Sequence, residues 1–311
     1  MTRLFLLALF LPRLALAQGT EPATKVYLNG VPAPVYFNDG DTFRVLSGQH
    51  RGMKGRLGGF NTLETFGPVH RWGKWEAKEL YVISKMATQH ARQGVWHCES
   101  KEFETDSYGR VLWHCRDLML DMVRRGYAHA LSVDYAPSDP ELLKVQRDAI
   151  ANGRGMWAHG VPNYLLTSLH STDEGGGSKT YNRLVSTRDG HSAKWEHQNR
   201  YGECEWVCRQ EKEVTEAQVK EAVEELIVDP KVGGDAMKLG DEKLFQIVGD
   251  FAWLGYFGGV EDKDFADALE KKLEEMVEAK KLGNGVNGTG SCSLYVLFER
   301  RYGPTRPECL K

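Results

Sequence analysis

The tetrapeptide Val95-Trp-His-Cys98 returns, one residue changed, as Leu112-Trp-His-Cys115. Runs of this kind, apolar and aromatic and bounded by turn formers, read as short β-strands, and a turn at Asp106-Ser107 would make them partners in a hairpin. Cys98 then lies opposite Cys115, within the Cα separation that a disulfide tolerates. A zinc site built from the two His-Cys pairs does not suit this geometry. Neighbours in a regular strand face opposite ways, so His97 and Cys98 cannot converge on one ion. The expected cross-link fixes two strands of whatever sheet the chain builds.

A disulfide belongs in an oxidising compartment, and the amino terminus agrees. Arg3 precedes the apolar run Leu4 to Leu11, and Ala15-Leu16-Ala17 before Gln18 has the small-x-small form of a cleavage site, so residues 1–17 are expected to be a signal peptide. A membrane anchor is the alternative, but Pro12 and Arg13 break the run well short of the roughly 20 residues that a span needs. The mature chain is therefore expected to be secreted or periplasmic, without stable membrane association. The chain has six cysteines. Cys204, Cys208, Cys292 and Cys309 leave three possible pairings, between which the sequence does not choose.

With 311 residues, 41% of them apolar and 27% charged, the chain has material for a full core and for two domains. Thr42 to Leu46 and Lys54 to Phe60 are further strand candidates, joining Gly94 to Cys98 and Val111 to Cys115. Apolar positions at helical spacing predict a helix over Lys74 to His90, and Met119 to Gly126 reads as a second. Asp139 as N-cap with Pro140 in the first turn opens a third, ending near Asn152-Gly153. Glu174-Gly-Gly-Gly-Ser178 has the composition of a hinge. The expected division is residues 18–172 as one domain, 173–178 as linker and 179–311 as a mainly helical domain. In that last part Thr215 and Gln218 form a capping box for Glu216 to Ile227. Asp264 with Asp267 opens a charged amphipathic stretch to Leu282, and Ser293 to Phe298 reads as a short strand. Residues 18–172 are slightly basic and residues 173–311 clearly acidic, which points any anion-binding role to the first half.

The stretch Tyr36 to Leu46 sets Asp39 and Asp41 on either side of Gly40. By itself an Asp-Gly-Asp segment is most simply a turn. Its carboxylates can also share one face, because residues i and i+2 of a strand do. Arg56 comes soon after, then Asn61-Thr62-Leu63-Glu64-Thr65, then Thr105 to Arg110. Carboxylates, neutral oxygens, a glutamate and two arginines together suit cleavage of a phosphodiester. A divalent cation and forked guanidinium donors stabilise charge that builds on the phosphoryl oxygens, and a glutamate can orient or deprotonate water.

The segments Asn38-Asp-Gly-Asp-Thr-Phe-Arg44, Arg56-Leu57 with Asn61-Thr-Leu-Glu-Thr65, Asp106-Ser-Tyr-Gly-Arg110 and Gly153-Arg-Gly-Met-Trp157 resemble, in order and spacing, the staphylococcal nuclease family over about residues 25–160. The resemblance implies an α+β fold, a five-stranded OB-fold β-barrel capped by helices, here followed by a mostly helical C-terminal region. It implies Ca²⁺-dependent hydrolysis of DNA and RNA to leave 3′-phosphates. Carried over residue by residue, Asp41 would bind Ca²⁺ through its carboxylate and Thr62 through its backbone carbonyl, with Asn61 at a third ligand position and Asp39 holding metal-bound water. Arg56 and Arg110 would grip the scissile phosphate, and Glu64 would act on the attacking water. Tyr108 and Tyr135 match aromatics that contact the terminal phosphate or stack under a base.

Three positions depart from the family pattern. Asn61 stands where an aspartate is usual, which removes one negative charge and predicts weaker Ca²⁺ binding. Leu63 replaces a proline, and Ser107 replaces a lysine that would contact phosphate. Asn61 also keeps a rival reading open, that of a nuclease-fold module which binds nucleic acid or protein with impaired catalysis. The acidic region beyond the hinge lies outside the resemblance, and it is expected to contact protein or to limit access to the site.

Overall fold

The computed structural model describes residues 24–64, 72–168, 181–196 and 214–283. The first two strands, β1 (Lys25–Leu28) and β2 (Val31–Phe37), form a hairpin about Asn29-Gly30, both at positive φ. An Asn-Gly pair adopts this primed turn at little cost, and its twist matches that of the flanking strands. In β2 the side chains of Ala33, Val35 and Phe37 point inward while Pro34 and Tyr36 face solvent. The strands β3 (Thr42–Val45) and β4 (Lys54–Leu57) continue the meander. A Cβ on Gly55 would sit 2.5 Å from the Phe43 ring, so β4 needs a glycine there to lie flat over that side chain.

The expected strand over Lys54 to Phe60 is in fact two. Gly59 has a φ of +85°, which ends the ladder and redirects the chain into β5 (Phe60–Thr62). The helix α1 (Ala77–Ala91) starts later than the sequence suggests, at a capping box made by Glu76 and Glu79. Two strands come next around a long turn, β6 (Val95–Cys98) and β7 (Val111–Trp113). Then come α2 (Arg116–Arg124), β8 (Ala128–Ala130) and α3 (Pro140–Ala151). The second helix begins earlier than expected, directly after Cys115, and the third is capped by Asp139, whose carboxylate accepts from the Leu142 N–H at 2.8 Å.

Six strands form one curled sheet in the order β6-β1-β2-β3-β4-β7, one strand more than the five implied by the resemblance. β6 and β7 are its two edges, paired with β1 and β4 rather than along each other. They meet where Glu99 and His114 exchange backbone hydrogen bonds of 3.0 and 2.8 Å, next to the Cys98–Cys115 disulfide. The bond expected from the repeated triplet therefore joins the rims of a curled, barrel-like sheet. Phe37, Phe43, Leu57, Trp113, Leu118 and Met122 fill the inside, under α1, α2 and α3. The short β5 pairs with β8 alone.

Beyond a 3-10 turn at Gly155–Trp157, β9 (Tyr164–Ser168), β10 (Tyr181–Ser186) and β11 (Ser192–Glu196) make a second, antiparallel sheet in the order β11-β10-β9. Pairing of β9 with β10 spans the Gly-rich stretch, which itself lies outside the described residues, so the chain on its two sides shares one ladder. The helices α4 (Glu216–Val228), α5 (Gly233–Leu239), α6 (Asp241–Leu254) and α7 (Lys263–Glu278) then enclose a separate core of Val219, Leu226, Leu244, Ile247, Leu269 and Leu273. Thr215 and Gln218 cap α4 as the sequence indicates, whereas α7 is opened by Asp262, two residues before the expected Asp264. No helix among the described residues is long and apolar enough to cross a membrane. Residues 1–17, expected to be a signal peptide, Ser293 to Phe298, and Cys204, Cys208, Cys292 and Cys309 lie outside the described residues.

Candidate functional site

The turn between β2 and β3 carries Asp39, Gly40 and Asp41, closed by the Asn38 N–H donating to Thr42 O at 2.9 Å. It is pressed onto the end of β5: a Cβ on Gly40 would lie 2.5 Å from the Thr62 methyl carbon. No side chain larger than hydrogen fits that gap, and the fit delivers Asp41 to the Asn61–Thr62 corner. There Asp41 Oδ2 accepts from the Thr62 N–H at 2.7 Å and from its hydroxyl at 2.9 Å. Asp41 Oδ1 accepts from Thr42 Oγ1 at 3.2 Å and also from Arg56. Asp41, Asn61 and Thr62 are all buried.

Arg56 stands on β4, opposite Thr42 of β3, and reaches along the sheet. One guanidinium nitrogen donates to Asp41 Oδ1 and the other to Asn61 Oδ1. Asn61 in turn donates through Nδ2 to the Thr62 carbonyl at 2.8 Å. Asp39 lies next to this group, accepting from the Asp41 N–H at 3.2 Å. Burial pushes the Asp39 carboxyl above the usual carboxylate range, and the charges of Arg56 and Arg110 and hydrogen bonds from Thr42 oppose the rise. Burial likewise pulls the Arg56 guanidinium below its ordinary value. Asp39, Glu64 and Asp106 resist that pull, while Arg110 adds to it by like-charge repulsion. Arg56 thus feels the charges of Asp39, Glu64, Asp106 and Arg110.

Arg110 is held in a different way. Asp106 Oδ2 accepts from Arg110 Nε at 2.7 Å and lies 2.6 Å from Nη2. The other oxygen, Oδ1, accepts from the backbone N–H groups of Tyr108 and Arg110, each at 2.9 Å. One carboxylate therefore shapes the turn and aims the guanidinium that the turn presents. Asp106 is a site residue to which the motif alone assigns no role. Its signal is the i, i+4 spacing to Arg110 around Gly109, which takes a φ of +71°. The Arg110 guanidinium carbon lies 5.3 Å from the centre of the exposed Tyr108 ring.

His129 is a second residue that sequence reasoning does not single out. It sits on β8 directly across from Asn61 and is buried. Burial brings its pKa down to about 4, opposed by a hydrogen bond with the Ala130 carbonyl and assisted by Arg56, so the imidazole beside the corner is neutral at pH 7. Tyr135 goes elsewhere. Its hydroxyl lies 3.0 Å from that of Tyr256, and Lys243 of α6 donates to its carbonyl at 3.2 Å, so the contacts at its hydroxyl and carbonyl run to the helical region.

As a donor set, the Asp41 carboxylate, the Asn61 side-chain oxygen and the Thr62 carbonyl are hard oxygens of the kind a Ca²⁺-sized cation takes. Each of them here accepts from a protein donor, and Arg56 spans two of them. The residues fit the ion in type, and a dication would compete with the guanidinium for the same oxygens. Among the described residues no three His, Cys, Asp or Glu side chains gather as a metal cluster, in keeping with a corner built from one carboxylate, one amide and one backbone carbonyl.

A curled sheet under three helices, with a carboxylate, an amide and a guanidinium meeting at one strand end, makes this an α+β protein. Residues 56–159, roughly a third of the chain, match the family described as staphylococcal nuclease homologue, a match that implies an OB-fold. The match holds Arg56, the Asn61 to Glu64 corner, Asp106 and Arg110, while the Asp39–Asp41 turn precedes it and is brought to it by the fold. No curated protein matches the chain.

Proposed function

We propose that the protein is a Ca²⁺-dependent nuclease that hydrolyses phosphodiester bonds of DNA and RNA and leaves 3′-phosphates, acting as a secreted or periplasmic protein after loss of residues 1–17. The observation that supports this best is the Arg56 guanidinium reaching the Asp41 and Asn61 oxygens of the corner, where it also feels the charges of Arg110 and Glu64. Two permanently charged, forked donors on one side of a site suit a phosphate whose equatorial oxygens gain charge in the transition state. Arg56 would leave Asp41 and Asn61 to grip the scissile phosphate, while Arg110 stays aimed by Asp106. Glu64 would take a proton from the attacking water, a role worth about 10²- to 10⁴-fold in rate. Asp41, Asn61 and Thr62 would hold the dication, which supplies Lewis-acid stabilisation of the same phosphoryl charge. Exposed Tyr108 would support the substrate by stacking, which tolerates any base.

A second reading has one observation in its favour. Asn61 brings no charge to the corner, and its oxygen is already taken by Arg56, so a module that binds nucleic acid or protein without cutting is the alternative. Incubation of the purified protein with single-stranded DNA, with millimolar Ca²⁺ or with a chelator, separates the two. Digestion that requires the metal and is lost in Arg56→Ala and Glu64→Gln supports the nuclease. Intact DNA in the presence of folded protein and Ca²⁺ supports the module. We further propose the division into residues 18–172, a linker at 173–178 and an acidic region over 179–311 that contacts protein or restricts the site.

A further inference from the structure

We propose that His191 is a charged pin latching the helical C-terminal region onto residues 131–138, and that removal of its proton in alkaline solution opens the latch. Its two ring nitrogens face carboxylates from different parts of the fold. Nδ1 lies 2.5 Å from Asp189 Oδ1 in the β10–β11 turn, and Nε2 lies 3.0 Å from both oxygens of Asp250 on α6. An imidazole can donate from both nitrogens only when it is protonated. In the neutral form one lone pair would confront a carboxylate with almost no water at hand, since His191 is 2% and Asp250 1% exposed. A buried charge that loses its partner is strongly destabilising, which makes such a group suitable for a switch.

The remaining polar groups around the pin come from every neighbouring element. The Tyr164 hydroxyl on β9 donates to Asp250. Arg188, from the same turn as Asp189, lies 3.9 Å from the centre of the Phe245 ring on α6, and its charge acts on Tyr164. Lys243 on α6 is acted on by Asp250, Asp189 and Asp134. Among the described residues, His191 alone stands directly between the turn and α6 with a carboxylate on each side.

The latch holds the segment just beyond β8. The Ser132 N–H donates to the Gly190 carbonyl at 2.7 Å, the Ser138 N–H to the Asp189 carbonyl at 2.8 Å, and the Ser192 N–H to the Asp134 carbonyl at 2.9 Å. Gly190 is so close to this segment that a Cβ on it would fall 2.7 Å from Ser138 Cβ. From α6 and the loop after it, Lys243 and Tyr256 grip Tyr135. Leu131 in turn donates to the Gly59 carbonyl at 3.0 Å, and β8 pairs with Asn61 and Thr62. A continuous backbone network thus runs from the pin to the candidate site.

The surroundings of the imidazole set the direction of the pH effect. Burial would lower its pKa, but Asp189 and Asp250 together outweigh burial and raise it to about 9. With the folded value above the unfolded one of about 6.5, its stabilisation is complete below pH 6.5 and is lost as pH rises through about 9. Asp189 is shifted down, so its own contribution disappears on the acid side instead. Tyr164 is held well above its ordinary value, and its ionisation in an opened chain adds to the alkaline loss only above about pH 10.

Amide hydrogen exchange of the full chain between pH 7 and 10, corrected for the intrinsic rate, tests the latch. Protection of α6 and of residues 131–136 should fall about tenfold per pH unit from pH 7 to about 9, where only the opened state has lost the His191 proton, and level off above it as the His191 ring NMR signals titrate. Asp189→Asn should move this loss to lower pH, and Tyr164→Phe should leave its midpoint in place. His191→Gln, which cannot carry the charge, should exchange at pH 7 as the wild type does near pH 10. Protection that stays flat to pH 10, or a midpoint indifferent to Asp189→Asn, overturns the proposal even where His191→Gln does not fold. None of these readings depends on whether the protein cuts DNA, so the latch and the nuclease stand or fall separately.

Discussion

Asp106 sits between the backbone of its own turn and the guanidinium of Arg110, giving one carboxylate oxygen to each. Arg110 is therefore aimed before any substrate arrives, and its side chain has little rotamer freedom left to lose. Asp106→Asn keeps an acceptor for the turn but weakens the charged pairing. We expect kcat/KM on single-stranded DNA to fall by about 10- to 100-fold, the range that small misplacements of a positioned group produce. The thermal midpoint should stay within a few degrees of the wild type. A variant as active as wild type would show that Asp106 serves the turn alone.

Arg56 presents the reverse situation, a guanidinium held on the oxygens that a dication would use. Arg56→Gln removes a competing charge from the corner. Calorimetric Ca²⁺ affinity should rise by about tenfold, or ~1.4 kcal/mol, even though nuclease activity is lost. Asn61→Asp should strengthen binding in the same direction by restoring a carboxylate. Weaker binding in Arg56→Gln would mean that Arg56 supports the oxygens rather than occupying them. An unchanged affinity in Asn61→Asp would remove Asn61 from the ligand set.

The unequal legibility of these features has physical causes. The Cys98–Cys115 bond can be read from the sequence because strand alternation and a turn determine which side chains meet. The Asp41, Arg56 and Asn61 grouping is legible through the resemblance that four motifs carry, but a resemblance says nothing of which donors saturate which oxygens, and so Arg56 as internal counter-ion emerges only from the structure. The β1–β2 hairpin is absent from the expected strands although Asn29-Gly30 is a strong turn signal between alternating side chains. β8 reads only Ala-His-Ala, with little intrinsic strand preference, and exists because β5 offers it a partner. The His191 pin joins residues far apart in the chain, Tyr164, Asp189 and Asp250, and no local pattern encodes such a meeting.

The disulfide joins the two edges of the curled sheet, so its removal should loosen the closure rather than the interior of any strand. Cys98 and Cys115 are 17 residues apart, and a loop of that size corresponds to about 3 kcal/mol in the chain-entropy account. A Cys98→Ala, Cys115→Ala double variant should lower the urea midpoint accordingly while retaining the circular dichroism of the native fold. Exchange should quicken first at Glu99 and His114, whose paired hydrogen bonds lie beside the bond. A midpoint equal to the wild type would show that the edges are held together by packing alone.

Gly40 offers the sharpest test of how the turn and the corner are joined. Its missing side chain leaves room for the Thr62 methyl carbon, which an added Cβ would approach to 2.5 Å, with the Ala87 Cβ at 3.1 Å behind it. Thr62 cannot withdraw freely, because its hydroxyl and N–H both hold Asp41 and its strand is paired to β8. Gly40→Ala should therefore cost about 1–3 kcal/mol by overpacking and push Asp41 out of register with Asn61. The expected outcome is a lower urea midpoint together with weakened Ca²⁺ binding. Adding Thr62→Ser, which removes the obstructing methyl and keeps the hydroxyl, should recover much of both losses. A Gly40→Ala protein with wild-type stability and affinity would mean that the turn is free to shift, and that the corner does not depend on this contact.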